Sequence, residues 1–346
     1  MRVSSLDPTV DPRWAEFVGR HPRASVFHTP GWLAALQDAY QFRPLAFTTT
    51  APGLPMQDGI VFCEVRSWIT GTRLVSLPFS DHCDVLADDA GCSAALLEHV
   101  LSQRAANGWR YVDIRERVPG AALPGLSVSD TPWEHVLDLR AGSAEVFRGF
   151  HHNSIQRKIR RAEREGVTCE EGCTEALLTE FYSLVVQTRR RHGIPPQPLF
   201  WFRALLNRLG DVVTVRVARA RGRPIASILT LRHRDTLVYK YGASDASAHS
   251  LGAMPLLFWK TVQHACATGC LALDLGRSES DHQGLVTFKE HLGGVGTMLT
   301  YRSSRRSSGS RSNLRALLAP WSRDFMERVP ERWCVAAGRL LYRHVG

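Results

Sequence analysis

The side chains best suited to chemistry are concentrated in residues 239–294 of this 346-residue chain. A polar loop at residues 276–283 follows a predicted buried strand and supplies arginine, serine, aspartate, histidine and glutamine side chains. The pair Phe288-Lys289 comes shortly after this loop, and Lys289 is one of only four lysines in the chain. A protonated lysine can stabilise negative charge that develops on a reacting oxygen. We therefore take this region as the candidate active site.

Upstream of the polar loop, the sequence predicts a second feature that could bind an anion. A strand at residues 236–242 leads through a loop at residues 243–250 into an apolar helix at residues 253–268. The N-terminus of a helix exposes unpaired N–H groups at the positive end of the helix dipole, which suits a phosphate or a carbonyl oxygen. The same pattern is also typical of a plain structural turn, so both interpretations stay open at this point.

Motifs of several common enzyme classes are absent from the sequence. There is no Gly-x-Ser-x-Gly nucleophile elbow, no Gly-x4-Gly-Lys-Ser/Thr loop, no Gly-x-Gly-x-x-Gly after a strand and no His-Glu-x-x-His pair. The eight cysteines include no Cys-x2-Cys pair, and we expect free thiols. A metal site at His264, Cys266 and Cys270 is not predicted, because the segment around them is typical of an apolar helix face.

The net charge of +10 is confined to two segments. Residues 140–165 contain seven basic and three acidic residues, and residues 301–346 contain ten arginines and three acidic residues. Basic segments of this kind bind phosphates of nucleic acids, nucleotide-linked substrates or anionic lipids, although solvated arginine surfaces are equally typical.

The C-terminal part of the second basic segment is predicted to be helical and amphipathic. After a Ser/Arg-rich linker, apolar residues recur at helical spacing in residues 314–343, with arginines between them. This tail is expected either to pack on the core of the protein or to lie on an anionic membrane surface. The N-terminus lacks the apolar core of a signal peptide, and no apolar run approaches the roughly 20 residues that span a bilayer. We therefore expect a cytoplasmic protein. Peripheral contact with the inner membrane is compatible with this expectation.

The order of predicted elements indicates an α+β fold in which one pattern occurs twice. Residues 25–27 are predicted as a short strand, followed by a helix with Thr29 as N-cap and Pro30 in its first turn. Further strands, a helix and more strands complete the first half, and helices, hairpin strands, a helix and strands make up the second. The predicted domains are residues 1–145, residues 146–302 and a tail at residues 303–346.

Six motifs match one known pattern: they are Tyr239-x-Tyr241-Gly-Ala-Ser, Leu251-Gly-Ala-Met, Asp274-Leu-Gly-Arg-Ser, Gly284-Leu-x-x-Phe288-Lys289-x-x-x-Gly293, the basic segment that starts at Asn153, and Thr188-Arg-Arg-Arg-His-Gly-Ile. With these motifs the sequence resembles the FemABX aminoacyltransferases, and more closely the FemAB-like proteins of exopolysaccharide and exosortase loci. The resemblance implies two tandem domains of the GNAT type, with the active site in the second. It also implies transfer of an acyl or aminoacyl group to an amine.

The resemblance gives the candidate residues their roles. Lys289 corresponds to the family's lysine near the reacting carbonyl, where it would stabilise the oxyanion or position the donor. Asp281 or His282, or the substrate itself, would take the proton of the attacking amine. The residues expected to contact substrate are Phe288, Tyr239, Tyr241, Lys240, Arg277, Ser278, Arg191, His249 and Arg160. Lys289 is expected to be exposed in a cleft.

The expected partners are an activated acyl donor and an amine-bearing precursor of the cell envelope or of an exopolysaccharide. No tightly bound cofactor is expected, because the donor, aminoacyl-tRNA or acyl-CoA, is a cosubstrate. The segment at residues 168–211 is too short for the helical arm that helps peptidoglycan enzymes to hold tRNA, so both donors stay open. The alternatives are an acyl-CoA-dependent N-acetyltransferase acting on a small-molecule or sugar amine, and a non-catalytic module that binds nucleic acid or anionic lipid. The sequence gives no oligomeric state.

Overall fold

The computed structural model describes residues 1–118, 120, 122–305 and 329–345. The chain divides into two compact units. Of the described residues, the first unit comprises those within 1–132, 298–305 and 339–345, and the second comprises those within 133–297 and 329–338. Each unit is a seven-stranded mixed sheet with helices packed against it, which is the α+β class that the element order predicts.

The first unit is built on the strand order β1-β2-β3-β4-β5-β14-β6. Its strands are β1 (Ser4–Leu6), β2 (Arg43–Thr48), β3 (Ile60–Val65), β4 (Arg73–Ser76), β5 (Val112–Glu116), β6 (Ser127–Asp130) and β14 (Thr300–Ser303), and its helices are α1 (Pro12–Arg20), α2 (Pro30–Tyr40) and α3 (Ala90–Ser102). Thr29 caps α2 through its side chain, which accepts from the N–H of Trp32, as predicted. The short strand predicted at residues 25–27 is wrong: Val26–His28 forms a 3-10 turn, because the His28 ring binds back to Ser25.

The second unit has the strand order β13-β7-β12-β11-β10-β9-β8. Its strands are β7 (Trp133–Asp138), β8 (Thr168–Gly172), β9 (Val213–Ala220), β10 (Arg223–His233), β11 (Thr236–Ser244), β12 (Ala272–Ser278) and β13 (Val295–Met298). Its helices are α4 (Ser143–Gly149), α5 (Arg157–Arg164), α6 (Glu175–Arg191), α7 (Leu199–Leu209), α8 (Ala253–Ala267) and α9 (Gln283–His291). An apolar core under α5 and α8, which includes Ile159, Leu257 and Ile228, holds these helices on the sheet.

The two sheets repeat one topology. In each, antiparallel strands lead to one parallel pair in the middle, β4 with β5 in the first sheet and β11 with β12 in the second. An antiparallel strand then follows on the far side of that pair, β14 beside β5 and β7 beside β12. The expected boundary at residue 145 therefore differs from the division before Trp133, because β7 pairs with β12 of the second sheet.

The C-terminal residues pack on the first unit. Helix α10 (Glu331–Leu341) ends in a 3-10 turn whose Tyr342 is buried and lies 5.9 Å, between ring centroids, from Phe79. The carbonyl oxygen of His344 accepts a hydrogen bond from Nη2 of the buried Arg73 at 2.9 Å. Residues 342–345 thus dock on the protein's own core, whereas residues 306–328, with much of the predicted amphipathic tail, lie outside the described residues. In the described part of the chain, no helix is long and apolar enough to cross a membrane.

Truncation of the buried tyrosine tests this docking. Tyr342→Ala removes a ring that is 3% exposed, and by analogy with other buried aromatic residues we expect it to lower the free energy of unfolding by about 3 kcal/mol. Leu340→Ala, at a position that is 56% exposed, should change it by less than about 0.5 kcal/mol. Denaturant unfolding measures both, and equal effects would contradict the docked arrangement.

Candidate active site

The candidate site begins where the two parallel strands of the second sheet separate. In the described strands, pairing between β11 and β12 covers residues 236–238 and 272–274 alone. Further along, β11 continues beside β10 as far as Ser244, and β12 continues beside β7 as far as Ser278. The carboxyl halves of the two strands thus diverge, and their edges border an opening between them.

Both strands are irregular at the point of separation. In β11 the register shifts between the partners of Tyr239 and Tyr241, so Lys240 forms a bulge. In β12 the register shifts between Asp274 and Arg277, so Leu275-Gly276 bulges opposite β7. Bulges bend a strand and re-aim its side chains, and they are frequent beside active sites.

The bulge at Lys240 gives the two tyrosines different neighbours. Tyr239 packs against Phe258 of α8 at 4.8 Å between ring centroids, and burial raises the pKa of its phenol to about 12. The Tyr241 hydroxyl accepts a hydrogen bond from Nε1 of Trp201 on α7 at 2.9 Å. In a regular strand these residues would share one face, but here one tyrosine faces α8 and the other faces α7. The Lys240 ammonium lies 5.7 Å from the Tyr241 ring centre.

Lys289 lies at the bulge of β12. Its Nζ donates hydrogen bonds to the carbonyl oxygens of Gly276 at 2.7 Å and Arg277 at 3.0 Å. The residue is only 2% exposed, so the expectation of a lysine exposed in a cleft is wrong. Helix α9 thus brings the ammonium to two carbonyl oxygens at the bulge of β12. Phe288 points to Phe258, at 5.5 Å between ring centroids, and thereby continues the aromatic row that starts at Tyr239.

The other residues of the polar loop differ in accessibility. Arg277 is partly exposed and forms an ion pair with Glu279 at 2.9 Å. Ser278 is 1% exposed, and among the described residues its hydroxyl has no hydrogen-bond partner. Asp281 and His282 are exposed at the start of α9. The loop therefore presents Arg277, Asp281 and His282 towards solvent and encloses Ser278.

One buried polar residue was missed by the sequence reasoning. His135 lies on β7, and a Cβ at Gly296 of β13 would approach its Nε2 to 3.1 Å. Burial, and then the charge of Lys289, lower the pKa of His135, which keeps the ring neutral near pH 7. No local signal could have identified it, because β7 reaches this site by pairing with a strand that follows more than 130 residues later.

At the end of β11, two of the predicted residues converge on Ser244. Nη1 of Arg191 donates to the Ser244 carbonyl oxygen at 3.0 Å, and Nε2 of His249 lies 2.9 Å from the Ser244 hydroxyl. Burial, followed by the charge of Arg191, lowers the pKa of His249. The turn that contains His249 leads directly into α8, so the Arg191 guanidinium and the His249 ring stand before the helix N-terminus.

The basic helix α5 lies beside this same N-terminus. Gly252 precedes α8 with φ of +76°, and a Cβ at this position would approach the carbonyl oxygen of Lys158 to 2.3 Å. Ile159 and Ala162 of α5 are buried, whereas Arg160 is exposed. The structure thus brings the Arg191 and His249 cluster close to α5, while Arg160 itself makes no described polar contact with that cluster.

Comparisons with known proteins show what this chain is similar to. Residues 149–284 match the family model of the acetyltransferase (GNAT) domain. A UDP-N-acetylmuramoylpentapeptide-lysine N(6)-alanyltransferase from Weissella viridescens is 27% identical over 158 residues, which are 44% of this chain and 47% of that protein. The chain thus matches about half the length of this curated relative.

Solved structures show that the fold is shared. The crystal structure of FemX superposes with a TM-score of 0.68 at 13% identity, over 88% of this chain and 97% of that one. A tandem GNAT protein from the clavulanic acid biosynthesis pathway gives a TM-score of 0.52 at 10% identity, over 89% and 99%. The predicted tandem GNAT fold and the predicted resemblance to FemAB-like GNAT proteins are confirmed.

Two glycines that flank α8, Gly252 and Gly269, test whether the contact with α5 matters. Gly252→Ala and Gly269→Ala both place a side chain at positive φ, which costs about 1–2 kcal/mol. A Cβ at Gly269 would meet nothing within 4 Å, whereas a Cβ at Gly252 would collide with the Lys158 backbone. We expect Gly252→Ala to destabilise the protein further and to reduce transfer activity, as measured by unfolding and activity assays. If the two variants had the same stability and the same activity, the close approach of Gly252 to the Lys158 backbone would have no role.

Proposed function

We propose that this protein is an N-acyltransferase that transfers an aminoacyl group from an activated donor to an amine on a cell-envelope precursor. The observation that carries the proposal is the divergence of β11 and β12, with an ammonium fixed at the bulge of β12 and the Arg191 guanidinium fixed at the end of β11. The partial match to an alanyltransferase that acts on a lysine-containing muramoyl pentapeptide supports the aminoacyl group and the class of acceptor.

The second unit is the better place for the reaction because the equivalent opening in the first unit is occupied by the chain itself. There, the N–H of Cys83 bonds to the carbonyl oxygen of Arg115 on β5 at 2.6 Å. The Arg115 guanidinium in turn donates to the carbonyl oxygens of Leu77 and Ser80 in the loop that follows β4. The loop thus fills the space beside β5, whereas in the second unit the chain after β11 turns into α8.

Aminoacyl transfer from an ester needs a neutral amine, a stabilised oxyanion and a proton for the leaving oxygen. The amine nitrogen forms a bond to the donor carbonyl carbon, the ester C–O bond breaks, and one amine proton is lost. We assign Lys289 a positioning role: at 2% exposure it stabilises the oxyanion at a distance, as a buried and immobile positive charge beside the bulge of β12. Its two carbonyl contacts hold the ammonium in place, and preorganised charge of this kind is often the largest catalytic contribution.

The proton of the amine needs an acceptor that the substrate can reach. Asp281 and His282 stay the candidates, because both are exposed on the loop that follows β12. His135 is close to Lys289 but only 1% exposed, so it is a poor acceptor for a proton on an incoming substrate. Tyr239, with its pKa near 12, can serve as a hydrogen-bond donor but not as a base near neutral pH.

The phosphates of the donor fit the positive charge at the start of α8. Arg191, His249 and the uncapped N-terminus of α8 lie together, and exposed basic residues of α5, including Arg160, extend the positive surface. Both aminoacyl-tRNA and acyl-CoA carry such phosphates. We favour the aminoacyl donor because of the alanyltransferase match, and place the reaction in the cytoplasm, at the inner face of the membrane where envelope precursors are assembled.

A transfer assay with two donors tests the proposed function. The purified chain is incubated with a lysine-containing UDP-N-acetylmuramoyl pentapeptide and either alanyl-tRNA or acetyl-CoA, and the product is identified by mass spectrometry. We expect an alanyl adduct on the lysine side chain. Product from acetyl-CoA alone would establish the N-acetyltransferase alternative. Salt-sensitive tRNA binding without product from either donor would support the binding-module alternative.

Substitution of Lys289 tests its assigned role. Lys289→Met removes the ammonium and should lower kcat by about tenfold or more, because the oxyanion loses a nearby preorganised positive charge. It also leaves two buried carbonyl oxygens without their donor, at a cost of roughly 1–3 kcal/mol each, so folding is checked by circular dichroism and denaturant unfolding. Lys260→Met, at an exposed lysine on α8, is the matched control and should retain full activity. A folded Lys289→Met variant with full activity would disprove the role.

A further inference from the structure

The hairpin between β3 and β4 ends in an unusually exposed apolar tip. Trp68 is 82% exposed and its neighbour Ile69 is 39% exposed, in a turn between Val65 and Arg73. Isolated exposed apolar residues are normal on protein surfaces. Here two adjacent apolar residues lie at the tip of a hairpin, and one of them is tryptophan, which has the largest side chain of all amino acids. Both are accessible to a binding partner.

The tip is held in place rather than loose. The Ser67 hydroxyl accepts hydrogen bonds from the backbone N–H groups of Ile69 and Thr70, and its oxygen lies 3.1 Å from Nδ1 of His344. The hydroxyl of Thr70 donates to the carbonyl oxygen of His344 at 3.3 Å. The edge of the His344 ring also meets the Trp68 indole, at 5.4 Å between centroids. The C-terminal turn therefore fixes the loop, and the exposed indole is presented at little entropic cost.

The surroundings of the tip are basic. Arg66, Arg110 and Arg343 are exposed, and Arg110 contacts the loop through the carbonyl oxygen of Thr70. The nearby Glu64 carboxylate is buried and accepts hydrogen bonds from Arg66 and from Nε1 of Trp109. A surface that combines an exposed tryptophan with several arginines matches the interface of an anionic bilayer, where indole rings lie among headgroups and guanidinium groups meet phosphates.

We propose that the tip of the β3–β4 hairpin, residues 66–70, is a membrane-contact element that seats the first unit on an anionic lipid surface. A second copy of the chain fits this tip less well than a lipid surface does. A stable dimer buries about 800 Å² of surface per partner, and two adjacent apolar side chains offer much less area. The proposal rests on the first unit alone and is independent of the transferase activity of the second.

Cosedimentation with vesicles tests the proposal. The full chain is mixed with vesicles of phosphatidylcholine alone or of phosphatidylcholine with 30% phosphatidylglycerol, about the anionic content that gives a strong surface potential. We expect binding to the anionic vesicles only. Trp68→Ala should weaken it by about tenfold or more, because a largely exposed indole loses its burial among headgroups. Arg110→Gln and Arg343→Gln should each weaken it by about fivefold.

Trp333→Ala is the matched control, since Trp333 is a second exposed tryptophan, at 60%, on α10. We expect its binding to equal that of the unchanged protein. Trp68→Ala should also keep the thermal unfolding midpoint and the rate of transfer to a soluble acceptor. Three results would overturn the proposal: no binding of the unchanged protein to anionic vesicles, release by Trp333→Ala but not by Trp68→Ala, or a lipid-free dimer that Trp68→Ala dissociates.

Discussion

The opening in the second unit depends on how the peptide groups of two separated strands are satisfied. Where β11 and β12 part, their backbone groups lose each other as partners, and buried peptide groups must find new ones. Side chains supply them. Lys289 binds the carbonyl oxygens of Gly276 and Arg277, the Thr188 hydroxyl accepts from the N–H of Ser244, and Arg191 donates to the Ser244 carbonyl oxygen. These side chains thus supply partners to peptide groups of each strand at the point where the strands separate.

In the first unit, the peptide groups beside the parallel strand pair find their hydrogen-bond partners in a different way. There the chain after β4 supplies the partners itself, through the bridge between Cys83 and Arg115 and through the carbonyl oxygens that Arg115 binds. One topology thus gives a filled sheet in one unit and an opened sheet in the other. The difference lies in whether long cationic side chains or the backbone of the following loop complete the hydrogen bonding.

The sequence predicted the elements that depend on local patterns. Helix α8 begins and ends close to the predicted residues 253–268, because caps, glycines and apolar spacing act over short distances. Features that depend on distant pairing were not predictable. The bulge that separates Tyr239 from Tyr241 follows from register with β10, and the burial of Lys289 follows from the bulge of β12. His135 reaches the site only because β7 crosses into the second sheet.

The position of β14 bears on the order in which the chain can fold during synthesis. This strand lies between β5 and β6 in the first sheet, yet residues 133–297 of the second unit precede it in the chain. The N-terminal sheet therefore remains unfinished while residues 133–297 emerge from the ribosome, although domains usually fold in the order of their synthesis. Residues 133–297, which contain the apolar core of the second sheet, can fold first. The N-terminal unit is completed when Thr300–Ser303 pairs with β5 and the residues that end at Val345 cover Arg73.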